Sequence, residues 1–129
     1  MTCHRRTLLA CAALGALSAA LPAAAQDSWP TKTVRLIVPY APGTSPDQTV
    51  RVVAEAMAET LKQPVIVENK AGAGGNIGTD AIAKATDGHT FGFGSPAPLV
   101  TNPMLMKKMP YDAEKAFKPI ILIETAPLF

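Results

Sequence analysis

The chain has 129 residues, 48% of them hydrophobic and 17% charged, with a formal net charge of +2. That length suits one small domain with one core. A balance this near neutral excludes a surface built to displace counterions from nucleic-acid phosphate, so no nucleic-acid partner is expected.

The first segment has the parts of a secretory signal. Arg5 and Arg6 precede an apolar run from Thr7 to Leu21, and Ala23, Ala24 and Ala25 follow as small residues. Residues 1–25 therefore read as an export signal cleaved between Ala25 and Gln26, with an uncleaved anchor helix as the alternative. The arginine pair also suits a twin-arginine signal and does not decide the route. Cys11 ends a stretch that superficially resembles a lipoprotein site, but almost no apolar region precedes it. Cleavage would remove Cys3, Cys11 and His4, leaving no thiol, His89 as the only histidine, and ten Lys/Arg against ten Asp/Glu. Disulfides, thiolate chemistry and cysteine-bound metal are thereby excluded from the mature chain.

Residues 26–32 read as a lead-in, with Trp29 packing against the body. Val34, Arg35, Leu36, Ile37 and Val38 form a β-branched-rich strand. Ser45-Pro46-Asp47-Gln48 has the marks of a helix start: a capping serine, proline at the first position, an acid at the positive end of the dipole and a capping-box glutamine. Val50, Val53, Ala54, Met57 and Leu61 share one face of a helix predicted over 46–62, which stops before Pro64. A second strand follows over 65–67, then a glycine-rich loop over 71–76 and a helix with Ile77, Ala81, Ile82 and Ala85 facing inward. Asp87-Gly88 makes a turn into a third strand over 89–93. Residues 94–98 form a loop, 103–107 a short helical piece, 120–123 a fourth strand, and 127–129 the start of something further. Strands alternating with helices predict an α/β fold with a mostly parallel, right-handed βαβ sheet.

Such sheets take ligands beyond the carboxyl ends of their strands. Three loops, over 39–46, 71–76 and 94–98, should meet there, two of them feeding helix starts whose free N–H groups favour an anion. No loop has a basic side chain, so a small carboxylate held by amides, hydroxyls and water is the expected ligand. The candidate contacts are Gly43, Thr44 and Ser45 with Gly74, Gly75 and Asn76; Ser95 and Asp47 are offered for remaining polar groups. Helix caps and glycine turns are also ordinary connectors, most of which bind nothing.

Catalytic patterns fit less well. Counted from Gly72, a G-x-G-x-x-G fingerprint puts Ile77 where its third glycine belongs, and no Gly-Lys-Ser/Thr occurs. Ser95 is not in a nucleophile-elbow sequence. His89 reads as a surface or edge residue, Asp47 as a helix-dipole partner, and Met104, Met106 and Met109 as packing rather than metal ligands. No catalytic residue, metal site or cofactor is expected. An exported α/β enzyme or nucleotide-binding domain, and a sensor or interaction module, are the alternatives to carboxylate binding.

The ordered stretches Trp29-Pro30, Val34 to Gly43, Asp47 with Arg51, Gln63-Pro64-Val65, Val67-Glu68-Asn69, Ala71 to Gly78, Asp87-Gly88, Asn102-Pro103, Lys107-Lys108, Pro110-Tyr111-Asp112, Phe117 and Pro119 carry a resemblance. The chain resembles the solute-binding proteins of tripartite tricarboxylate transporters, the Bug or TctC family, over residues 29–129. The resemblance implies one lobe of a two-lobed, type II clamshell, with residues 26–129 as the N-terminal lobe and a second lobe lying outside this chain. It implies a monomer in the periplasm that hands a small carboxylate to membrane permease subunits. It also implies that the first two loops hold the ligand's carboxylate, largely through main-chain amides and bridging water. Thr44 stands where the family usually has a second glycine, and Ala116 replaces its usual acidic residue.

Overall fold

Strand β1 (Val34–Val38) is the centre of the sheet, with both terminal valines fully buried. A parallel strand covered on both faces reads as a nearly unbroken apolar run, and this one does. In the computed structural model, which describes residues 29–125, β1 pairs in parallel with β2 (Val65–Asn69) on one side and β3 (Thr90–Gly92) on the other. The expected signal and the element expected at 127–129 lie outside the described residues. Helix α1 (Ser45–Leu61) joins β1 to β2, and helix α2 (Asn76–Ala83), preceded by a 3₁₀ turn at Ala73–Gly75, leads on to β3. The two crossovers run in opposite directions across the sheet, so right-handed connections put the helices on opposite faces.

Side-chain alternation along β1 matches that arrangement. Leu36 and Val38 join Val50 and Ala54 of α1 and Phe93 in one core cluster. Ile37, 1% exposed, points to the other face, where it and Ala81 of α2 line the same cleft. Each such burial contributes about 1.5–3 kcal/mol. The Arg35 backbone N–H donates to the His89 carbonyl and the Phe93 N–H to the Ile37 carbonyl, both at 2.9 Å. The third strand therefore pairs over the predicted 89–93 even though its regular part is three residues long.

Several expectations need correction. The capping box is not formed: Thr44 is the N-cap, Ser45 is the first helical residue, and the Gln48 side chain donates to the Gly43 carbonyl at 3.2 Å. On α2 the buried residues are Asn76, Gly78 and Thr79, whereas Ile77 is 54% exposed. Close approach explains this, since a β-carbon at Gly78 would lie 2.7 Å from the Pro39 Cα and from the Lys70 carbonyl. Ile82 does face inward and fills the space above Gly92, while Ala85 lies past the helix end.

His89 is buried at 7% exposure, not a surface residue. Its Nε2 accepts from the Thr31 N–H at 3.1 Å and its Nδ1 lies 3.0 Å from the Asp87 carbonyl. Because the Thr31 N–H can only donate, Nε2 is the acceptor and Nδ1 the donor in this arrangement. Trp29 packs edge-on against Phe91 and donates to the Gly88 carbonyl, anchoring the lead-in as predicted.

The loop expected over 94–98 ends early. A π-helical turn (Ala97–Thr101) runs directly into helix α3 (Asn102–Leu105). Residues 120–123 form no strand; Ile120, Ile121 and Leu122 are 74–79% exposed. β-branched composition favours a strand only where a neighbouring edge pairs with it, and these residues have no such partner among those described. Met104 is 80% exposed and Met106 46%, so neither is core packing.

Candidate functional site

The first loop, residues 39–44, leaves the carboxyl end of β1 and is held by Asp47. This carboxylate is 2% exposed. One oxygen accepts from the Gly43 N–H at 2.8 Å and from Arg51 Nε at 3.1 Å; the other accepts from Asn69 Nδ2 at 2.9 Å. Asn69, the last residue of β2, also donates to the Tyr40 carbonyl at 3.1 Å and accepts from Arg51 at 3.2 Å. The Arg51 hydrogen bond, then those of Gly43 and Asn69, holds the Asp47 carboxyl down at about 2. Asp47 thus spans loop, helix and neighbouring strand, with its oxygens turned to the protein.

The second loop lies at the carboxyl end of β2 and is held differently. Gly72, Gly74 and Gly75 have φ of +131°, +64° and +93°, backbone that favours glycine. Asn76, 3% exposed, accepts at Oδ1 from Asn102 Nδ2 at 2.8 Å and from the Tyr111 hydroxyl at 3.0 Å. Its Nδ2 donates to the Met106 sulfur at 3.2 Å. Asn102 also donates to the Gly74 carbonyl at 3.2 Å. No member of this set is charged.

The third loop reaches the first through side chains, with the Ser95 hydroxyl hydrogen-bonded to the Tyr40 hydroxyl. Gly78, whose missing side chain admits Pro39 and Lys70, seats α2 beneath the other two loops. The structure therefore brings the predicted loops to one end of the sheet.

It also sorts the predicted contacts. The Gly43 N–H is engaged by Asp47, and the Thr44 N–H turns back to the Ala41 carbonyl at 3.5 Å. Gly75 and Asn76 donate to the Gly72 and Ala73 carbonyls. Among the described residues, the N–H groups of Ser45, Asp47, Ala73 and Gly74 have no internal acceptor. Proline at 46 supplies none. These four amides, rather than those of Gly43, Thr44, Gly75 and Asn76, are left unpaired in the turns that lead into α1 and α2, where the helix dipole favours negative charge. Asp47 and Asn76 hold their loops through buried side chains, and Ser95 with Tyr40 offers hydroxyls.

Arg51, Asn69, Asn102 and Tyr111 enter the sequence reading only as parts of a resemblance, without roles. Spacing of i, i+4 pairs Asp47 with Arg51. Nothing local pairs Asn76 with residues 26 and 35 positions away. Two clefts of about 300 and 440 Å³ lie on the flanks of the sheet, lined around Arg35 and Lys84 and around Arg51 and Val65, and include none of the loop residues. Among the described residues, no three His, Cys, Asp or Glu side chains are grouped to hold a metal ion, and no helix is long and apolar enough to cross a membrane.

Comparison with known proteins agrees with the fold. The family profile described as tripartite tricarboxylate transporter family receptor matches residues 49–129. Protein BugT of Bordetella pertussis is 43% identical over 104 residues, covering 79% of this chain and 32% of that protein. The structure of periplasmic binding protein BugD is similar with a TM-score of 0.66 and 40% identity, over 71% of this chain and 31% of that one. MatC from Rhodopseudomonas palustris, solved with bound malate, is similar with a TM-score of 0.69 and 36% identity, over 74% of this chain and 33% of MatC. The parallel sheet with helices on both faces is one lobe of the periplasmic-binding-protein fold. The chain spans about a third of the length of the first curated relatives that it matches.

Proposed function

Since the chain belongs to the tripartite tricarboxylate transporter receptor family, we propose that it is an exported, periplasmic solute-binding lobe that captures a small carboxylate for a membrane permease. The observation that carries this reading is the set of four unengaged amides, Ser45, Asp47, Ala73 and Gly74, on two loops at the same end of adjacent strands. Amides at helix starts suit a carboxylate because they supply hydrogen bonds and partial positive charge without a counter-ion. The Ser95 and Tyr40 hydroxyls suit the ligand's other polar atoms. A second lobe closing over this face would complete the enclosure. The malate held by MatC belongs to the chemical class proposed.

Binding here needs no bond making. His89 precedes β3 and Ser95 follows it, so the two lie beyond opposite ends of that strand, and the hydrogen bonds of the imidazole go to Thr31 and Asp87 instead. The reading is tested by thermal melts and calorimetric titrations of the chain with malate, acetate and ATP. Malate should raise the melting midpoint, by about 2.7 kcal/mol of stabilisation at a hundred times its Kd. Ser45→Pro removes one of the four donors at a first helical position, after a Thr44 backbone (φ −73°, ψ 161°) that accepts a following proline. It should weaken malate binding roughly tenfold, the scale of a charge-assisted hydrogen bond. A midpoint raised by ATP alone, or by no acid, would overturn the reading.

A further inference from the structure

Pro98, Asn102 and Tyr111 form a device whose logic lies in the backbone. In the π-helical turn the Asn102 N–H bonds to the Ala97 carbonyl, five residues back. It is therefore not available to the Pro98 carbonyl, four residues back. In the same register that carbonyl would look to residue 103, which is proline and has no N–H. Pro98 is fully buried, so its carbonyl cannot turn to solvent. The Tyr111 hydroxyl fills the gap, 2.7 Å from the Pro98 oxygen, and lies 3.0 Å from Asn76 Oδ1. Meanwhile Asn102, displaced onto the glycine loop by the same turn, reaches the Gly74 carbonyl and Asn76. The glycines accept this closeness: β-carbons at Gly74 and Gly75 would lie 3.1 Å from Asn102 Nδ2 and 3.3 Å from Pro98 Cγ.

We propose that Tyr111 and Asn102 are positioning residues for the anion-binding loop: they hold the unpaired Ala73 and Gly74 amides in place without themselves touching ligand. The proposal rests on the carboxylate-binding reading above. Neither residue contributes charge, so the loop is held at one geometry by neutral bonds alone. Tyr111 is additionally seated by its edge-on packing against Phe117, with ring centroids 5.6 Å apart. Burial pushes its hydroxyl pKa up, which keeps the single proton that the Pro98 carbonyl and Asn76 Oδ1, both acceptors, share.

The test compares the parent chain with Tyr111→Phe and Asn102→Ala by two readouts. Amide hydrogen exchange needs no ligand: Gly75 and Asn76, whose N–H groups bond to the Gly72 and Ala73 carbonyls, should exchange at least tenfold faster in both variants, with Gly43 unchanged. Titration with malate, on variants shown to be folded by their amide spectra, should give at least fivefold weaker binding. A purely structural role would lower the melting midpoint but leave the affinity of the folded fraction unchanged. Unchanged loop exchange, or affinity within twofold of the parent, overturns the proposal. If the parent binds no carboxylate, the functional reading fails, and the exchange comparison still judges the lock. Should Tyr111→Phe fail to fold, Asn102→Ala, at a half-buried position, carries both readouts.

Discussion

The first loop is fastened by an ionised group and the second by neutral ones, although both present amides to the same end of the sheet. Asp47, Arg51 and Asn69 tie the first loop to α1 and β2; Asn76, Asn102 and Tyr111 tie the second to the turn before α3. The difference has an electrostatic reason. A carboxylate next to an anion site repels the ligand unless it is neutralised, and Arg51, half exposed and 3.1 Å from Asp47, does that. In the second loop the fastening group, Asn76, is bonded to neutral partners only, and an amide serves instead of an acid. Two fasteners of unlike chemistry can be broken separately.

The largest effect should come from the one place that serves both loops. Gly78→Ala would drive a β-carbon into Pro39 of the first loop and the Lys70 carbonyl before the second. Overpacking of this kind costs about 1–3 kcal/mol, read as a lower urea midpoint, and malate binding should fall with it. Next is Asp47→Asn, which keeps the shape and removes the charge. It leaves Arg51 without its carboxylate partner and should loosen the first loop, with Gly43 exchanging faster and Gly75, bonded to the Gly72 carbonyl, unchanged. Malate affinity should drop roughly tenfold or less, on the scale of one charged hydrogen bond.

Acid titration sharpens the comparison without mutation. The Asp47 pKa is lowered in the folded protein, from 3.8 to about 2. Stability from this group is therefore fully present above about pH 4 and is lost as pH falls through 2. Glu68, held low by Arg35, and Asp87, held low by the His89 N–H, lose their contributions in the same direction. A global melt would mix the three, so the readout is the amide spectrum. The Gly43 signal should move as Asp47 protonates, whereas Gly74 to Asn76 should not follow it. The smallest effect is expected at the rim: Lys84→Ala removes an exposed pair with Asp80 and should change stability by less than about 0.5 kcal/mol.

Local chemistry makes the central elements legible in the amino-acid sequence. β1 is a β-branched run, and α1 carries Val50, Ala54 and Met57 on one face as its spacing requires. What stays hidden depends on distant partners. Asp47 reads as a dipole partner because Asn69, which it also binds, is 22 positions away. Of the candidate residues, Ser45, Asp47 and Gly74 keep a free N–H while Gly43, Thr44, Gly75 and Asn76 do not, since internal acceptors that spacing does not reveal decide which N–H groups stay free. Pro98 and Pro103, five apart, mark a π-helical turn only through its hydrogen bonds, which spacing does not reveal. Residues 120–123 have the composition of a strand without an edge to pair with. His89 reads as a surface or edge residue; it does sit at the start of the edge strand, but the Thr31 backbone bonded to its ring lies 58 positions earlier, so its burial is not legible.

Whether one carboxylate is gripped by amides from both loops is tested most directly by following backbone amide resonances while malate is added. A shared grip predicts that Ser45, Asp47, Ala73 and Gly74 shift together along one saturating curve, with Arg35 and Lys84 on the sheet flank unmoved. Shifts confined to that flank, or to one loop alone, would contradict it.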